Sequence, residues 1–256
     1  MLTLLLIWLA APAYSAGPTN ARGYRGISSS QPTGSPSIAK DKLVAAYDME
    51  ITTGDGHLKD FSGNENHGTI HGTALVKGVF GKARRFASVQ DRIALPSNKS
   101  FAIDGPLSVT MWVRVHRLGL HQHMLACDDK FAFWITADDH LRFVDTLGHG
   151  LQTKGGLATE TWYSIVGVFR GNIGDVLTRD NIAVYVNGNA VDGSAARAWA
   201  PGILHPTDAC YIGFESHQGA ESHKTLHFDG DIDEVLIFSR ALTDPEIQAH
   251  ANRRRE

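Results

Sequence analysis

The sequence predicts an antiparallel all-β sandwich, and three observations predict it. Regular segments between Leu43 and about His250 alternate apolar and polar residues with period two and are rich in β-branched and aromatic side chains. Short clusters of Gly, Asn and Asp separate them at hairpin intervals. A helical pattern with its own start signal occurs only at the C-terminal end.

Taken in order, the chain opens with MLTLLLIWLAAPAYSA, an apolar run followed by small residues at Ala13, Ser15 and Ala16, which reads as a signal peptide over residues 1–16. At about 1.5 Å per residue the run from Leu2 to Ala11 is too short to cross a bilayer, so no stable membrane insertion is expected once it is removed. The expected destination is secreted, periplasmic or at the cell surface. Residues 17–41 are rich in Gly, Ser and Pro and poor in large aliphatics, the composition of a flexible leader. The folded domain is placed at 42–250. Residues 251–256 are read as a basic tail in which Arg253, Arg254 and Arg255 are solvated.

Within the domain, LSVTMWVRV puts Leu107, Val109, Met111, Val113 and Val115 on one strand face and Ser108, Thr110, Trp112 and Arg114 on the other. The same alternation marks strands at Phe131 to Thr136, His140 to Val144, Trp162 to Phe169, Ile182 to Val186 and Cys210 to Phe214. Asn187-Gly188 after IAVYV is a hairpin signal, because a type I′ turn needs positive φ at both central residues. Thr243-Asp244-Pro245-Glu246 has the spacing of a capping box and predicts one short helix.

With 43% hydrophobic and 20% charged residues, the composition excludes a wholly disordered chain, a collagen repeat and a polytopic membrane protein. A formal net charge of -3 gives no general attraction to a phosphate backbone, so no nucleic-acid partner is expected. In an oxidising compartment Cys127 and Cys210 could form a disulfide, and their apolar settings suit free core cysteines equally.

The richest polar segment runs from Asp60 to Thr69, followed by the glycines at 78 and 81. Asp60, Asn64 and Asn66 are closely spaced oxygen ligands of the kind a hard cation prefers, and they equally suit Asx-turns that satisfy the loop's own backbone. This loop, with LVAAYDME before it, GVFGKARRF, PLSVTMWVRV and the closing FDGDIDEVLIFSRALTDPEI after it, resembles the laminin G-like branch of the concanavalin A-like lectin/glucanase superfamily. The resemblance implies a jelly-roll sandwich of two antiparallel sheets that binds glycans or protein partners outside the cell. It also implies a structural calcium ion held by Asp60 and Asp233, with Asn64 or Asn66 beside them.

Two enzymatic readings stand beside this one. Asp229, Asp231 and Asp233 share one strand face at about 7 Å spacing, which could serve carboxylate-pair hydrolysis of a sugar. His121 and His123, with Arg114, His116 and the phenols of Tyr163 and Tyr185, could supply a lyase base. For recognition without chemistry the candidates are Trp199, Trp112, Arg114, His121 and His123, since aromatic and planar polar groups suit sugar faces and hydroxyls. The reading favoured by the sequence is a non-catalytic recognition module for an extracellular polysaccharide or surface protein, with a glycan-degrading enzyme and an adhesion module as alternatives.

Overall fold

The computed structural model describes residues 40–127, 131–145, 148–172, 174–197, 210–215 and 227–253. The signal expected at 1–16, the leader expected at 17–41 as far as residue 39, Trp199, and Arg254 and Arg255 of the expected tail lie outside them. The strands are β1 Leu43–Tyr47, β2 Thr69–His71, β3 Ala74–Lys77, β4 Lys82–Phe86, β5 Arg92–Leu95 and β6 Leu107–Val115. They continue with β7 Gln122–Cys127, β8 Phe131–Ile135, β9 His140–Val144, β10 Gly150–Gly156, β11 Trp162–Phe169 and β12 Ile182–Val186. Two short pieces, β13 Asn189–Ala190 and β14 Gly193–Ala195, precede β15 Cys210–Ile212, β16 Gly230–Phe238 and the helix α1 Asp244–Asn252.

Every pairing between these strands is antiparallel, and they form two eight-stranded sheets. The first runs β13-β12-β11-β6-β16-β4-β3, with β1 also paired to β16; the second runs β14-β10-β9-β8-β7-β15-β5-β2. Each sheet turns its alternate apolar residues inward, which follows from the period of two. Leu107, Val109, Met111, Val113 and Val115 of β6 meet Phe131, Phe133, Leu141 and Phe143 of β8 and β9 in one core. The sheets pack tightly at Gly167, where an added Cβ would meet the Phe143 ring at 2.7 Å. Glycine is required there by the packing, since a methyl group would force the aromatic rings to move.

The hairpin between β12 and β13 turns on Asn187 and Gly188, with φ of 51° and 80°, as a type I′ turn demands. Cys127 and Cys210 face each other directly across β7 and β15 and are bonded, with an S–S distance of 2.04 Å. The bridge fastens the three-residue β15 to the middle of the second sheet.

Helix α1 starts at a capping box in which the Thr243 amide and hydroxyl both donate to Glu246 Oε2 at 2.9 Å. It lies on the outer face of the first sheet, where Leu242 and Ile247 join Val166, Val168, Tyr185, Leu236 and Phe238. Arg253 is not a solvated tail residue. Its guanidinium pairs with buried Glu234 at 2.8 Å and stands 4.0 Å over the Phe80 ring, so the ordered unit extends past the helix end.

Candidate functional site

Cross-strand register decides which side chains meet. On the second sheet His123 of β7, Trp134 of β8, Arg142 of β9, Gln152 of β10 and Ser194 of β14 are successive register partners, forming one transverse row on the outward face. The His123 ring lies 4.6 Å from the indole of Trp134, His121 lies 5.6 Å from it, and the Arg142 guanidinium lies 5.3 Å over it. Arg142 Nε donates to Gln152 Oε1 at 2.6 Å, and His123 Nδ1 stands 2.5 Å from Glu215 Oε2. Burial lowers the Arg142 pKa from its ordinary value, marking a partly dry position.

His123 is 2% exposed and the indole is stacked by its neighbours, so Trp134, Arg142 and Gln152, each half-buried, are the members of the row that reach the surface, and they do so by their edges. Those edges carry the guanidinium donors of Arg142 and the amide of Gln152, while Trp134 Nε1 is buried without a hydrogen-bond partner. Beside the row Ala126, Ala132 and Val144 form a small apolar floor packed with Trp134 and Ala196. That floor is buried and supports the row from beneath, so fixed polar edges are what the row offers a hydroxylated ligand.

The sequence candidates therefore divide between two opposite faces. His121 and His123 belong to the second sheet, whereas Trp112 and Arg114 belong to the first. Trp112 is 5% exposed, packed 5.9 Å from Phe80 and 6.0 Å from His250, so it serves as packing under the helix and not as a ligand platform. Arg114 joins a row of its own, Arg85, Asp231, Arg114 and Trp162, across β4, β16, β6 and β11.

The carboxylates of β16 are pushed in opposite directions. Burial opposes ionisation of Asp231, yet hydrogen bonds from Arg85, Arg114 and His116 hold its pKa below the usual range. Burial and the neighbouring Glu234 push Asp233 well above that range. Divergent pKa values suit an acid and base pair, but both side chains are 0% exposed, so no glycosidic oxygen reaches either of them here. Asp229 is tied instead to Arg117, at 3.5 Å. The lyase groups are dispersed as well: Tyr163 accepts from the Ala158 amide and Tyr185 donates to Asp244, while His121 and His123 stand on the other sheet.

The Asp60 loop is a hydrogen-bonded clasp. Asp60 Oδ1 accepts from the amides of Ala46 and Ser62 at 2.9 Å, and Oδ2 accepts from Ser62 Oγ at 2.6 Å and the Asn66 amide at 2.9 Å. Those four donors match the lone-pair capacity of a carboxylate. Asn64 and Asn66 turn their NH2 groups to the Leu43 and Val44 carbonyls at 2.8 Å. Asp60 therefore spends all its lone-pair sites on the loop, whereas Asn66 Oδ1 stays buried without a hydrogen-bond partner.

Asp233 sits apart from that clasp, accepting from the Phe80 amide at 2.9 Å. Buried oxygens without hydrogen-bond partners do occur at Asp48 Oδ2, Asp233 Oδ1 and Glu234 Oε2, and burial raises the pKa of all three groups. Among the described residues no three His, Cys, Asp or Glu side chains are grouped to hold a metal.

Arg142, Gln152, Glu215 and Trp162 were not singled out from the sequence. Alternation in HLRFV and in the strand before the Gly155-Gly156 turn already sends Arg142 and Gln152 to the outward face. What sequence alone lacked was the register that sets Trp134 between His123 and Arg142.

Two face-to-face antiparallel sheets with polar rows on their outward faces define a jelly-roll β-sandwich. The family description concanavalin A-like lectin/glucanases superfamily, laminin G type, matches residues 87–248, and the chain belongs to that family. No match is found among curated proteins. Among solved structures, the binding domain of Paraclostridial Mosquitocidal Protein 1 is similar at 18% identity and a TM-score of 0.60, over 83% of this chain and 52% of that one. Trypanosoma rangeli sialidase, solved with 2,3-difluorosialic acid, is similar at 15% identity and a TM-score of 0.62, over 84% of this chain and 34% of the sialidase. Domain 4 of AbnA, an extracellular arabinanase from Geobacillus stearothermophilus solved with arabinotriose, is similar at 21% identity and a TM-score of 0.59, over 82% of this chain and 98% of that domain. The chain thus spans about half of the first of these proteins and a third of the second. Among the described residues no helix is long and apolar enough to cross a membrane.

Proposed function

We propose that this chain is a non-catalytic recognition module that holds an extracellular glycan against the outward face of its second sheet. The row Trp134, Arg142 and Gln152, with His123 buried behind the indole, carries the reading. Its planar groups are held in place by stacking and by the bond from Arg142 to Gln152, so they lose little freedom on meeting a ligand. Their edges suit sugar hydroxyls, and the half-buried Trp134 ring suits a C–H face. The likeness to an arabinanase domain solved with arabinotriose supports a saccharide over a protein partner.

The test is a glycan array followed by calorimetry on neutral oligosaccharides. Trp134→Ala and Arg142→Ala should each weaken binding by about tenfold or more, the effect of losing a central contact of about 1.4 kcal/mol. Retained affinity in both variants, or shortening of the saccharide by the protein, refutes the proposal.

A structural calcium ion belongs to the proposal at Asp233, whose buried Oδ1 has no hydrogen-bond partner, rather than at Asp60, whose four lone-pair sites are taken. Bound there, it would supply the positive charge that lets this buried carboxylate ionise. Calcium should raise the melting temperature, and Asp233→Asn should abolish the rise; equal melting in calcium and in chelator removes calcium from the proposal.

A further inference from the structure

The outward face of the first sheet carries a charged arrangement that the row around Trp134 does not use. Asp231 is wholly buried and receives Arg85 Nε at 2.8 Å, Arg85 Nη2 at 3.2 Å, Arg114 Nε at 2.9 Å and Arg114 Nη2 at 2.5 Å. His116 Nε2 approaches the same carboxylate at 3.1 Å, while its Nδ1 meets Glu160 at 2.6 Å. One carboxylate therefore fixes two guanidinium planes by the same edge of each. The remaining N–H edges, centred on the two Nη1 atoms, face away from it, and the side chains keep 39% and 23% exposure at Arg85 and Arg114. Trp162, 5.0 Å beneath the Arg114 guanidinium, closes the row on its far side.

Two planar forks held at fixed orientation by a hidden counter-ion match an oxyanion, whose oxygens accept paired N–H groups. Within the row the cations outnumber the carboxylate. We propose that Arg85 and Arg114 form a second saccharide site, selective for a sugar bearing a carboxylate or a sulfate ester, with Asp231 as the positioning residue that aims them. The assignment rests on the module being a glycan binder and adds a charge-selective surface on the opposite side of the sandwich. Glu160, exposed beside this row, opposes an anion, and its removal is part of the test.

Full-length protein is titrated by calorimetry with oligogalacturonate, with heparin-derived oligosaccharide and with a neutral oligosaccharide that binds the wild type. The first two probes distinguish a carboxylate from a sulfate ester as the anionic group. Arg85→Gln should weaken the acidic ligand by at least about tenfold and leave the neutral one unchanged, while Glu160→Gln should strengthen the acidic ligand. Circular dichroism and the retained neutral binding report that each variant is folded. Neutral binding without either acidic ligand, or acidic binding indifferent to Arg85→Gln, overturns the second site alone. If no saccharide binds at all, the glycan reading itself falls, and this site with it.

Discussion

Acid should loosen this protein through one histidine. His250 is 1% exposed on the inner side of α1, with Nδ1 2.8 Å from Ser164 Oγ, the Trp112 indole 6.0 Å away, and Nε2 buried without a hydrogen-bond partner. Burial, assisted by the nearby Arg253, lowers its pKa from 6.5 to about 3. The unfolded chain therefore binds a proton at pH values where the folded chain cannot. The stability that His250 lends is complete above about pH 6.5 and is lost progressively as the pH falls toward about 3. Between pH 7 and pH 4 the loss amounts to about 3 kcal/mol from this group, a large share of a domain's margin.

The assay is equilibrium urea denaturation, with the disulfide intact, from pH 7 to pH 4 on wild type and on His250→Gln. Glutamine keeps a hydrogen-bonding end near Ser164 and does not titrate. Lowered carboxylates such as Asp231, and raised ones such as Asp233, act in both proteins and cancel in the difference. The variant should start less stable at pH 7 and lose about 3 kcal/mol less than wild type on acidification. Parallel pH profiles would show that the imidazole is hydrated or already charged in the folded protein, and the reasoning would fail.

Two further outcomes are expected. Replacing both Cys127 and Cys210 by alanine frees a link across 83 residues and should cost about 4.5 kcal/mol in the chain-entropy account, read as a lower urea midpoint; a change under about 1 kcal/mol contradicts that account. Asp60→Ala strands the Ala46 and Asn66 amides in a buried loop and should cost roughly 3 kcal/mol with or without calcium; a cost that appears only in calcium would place the ion in this clasp after all.

The fold was legible wherever a strand has one dry face. His140 to Val144, Trp162 to Phe169 and Ile182 to Val186 stand at their expected limits, because burial on one side imposes strict alternation. The short edge strands β2, β3, β13 and β14 carry no such signature, since they bury little and are held by pairing with a neighbour. The same limit governs the site. Sequence marked His123 and Arg114 as chemically apt, but joined them in one candidate surface, and only the pairing order assigns them to opposite sheets. Trp112 shows a second limit: a residue on a strand's polar face is dry when a distant segment, here α1, lies across it. Asp60 behaves as Asx-turn chemistry allows, and its four donors come from residues 46 to 66, too scattered for any local motif to announce.

One feature of the chain path bears on how such a unit can be used. Strand β1 lies against β16, with Leu43 opposite Phe238, and Arg240 Nε reaches the Asp41 carbonyl at 3.1 Å. The polypeptide thus enters beside the segment that leads into α1, and it leaves the ordered unit at Arg253, against Glu234 and Phe80 on the same sheet, the one remote from Trp134. A host protein could carry the whole sandwich as an insert in a surface loop, splicing it in with linkers of a few residues and leaving the far side unobstructed.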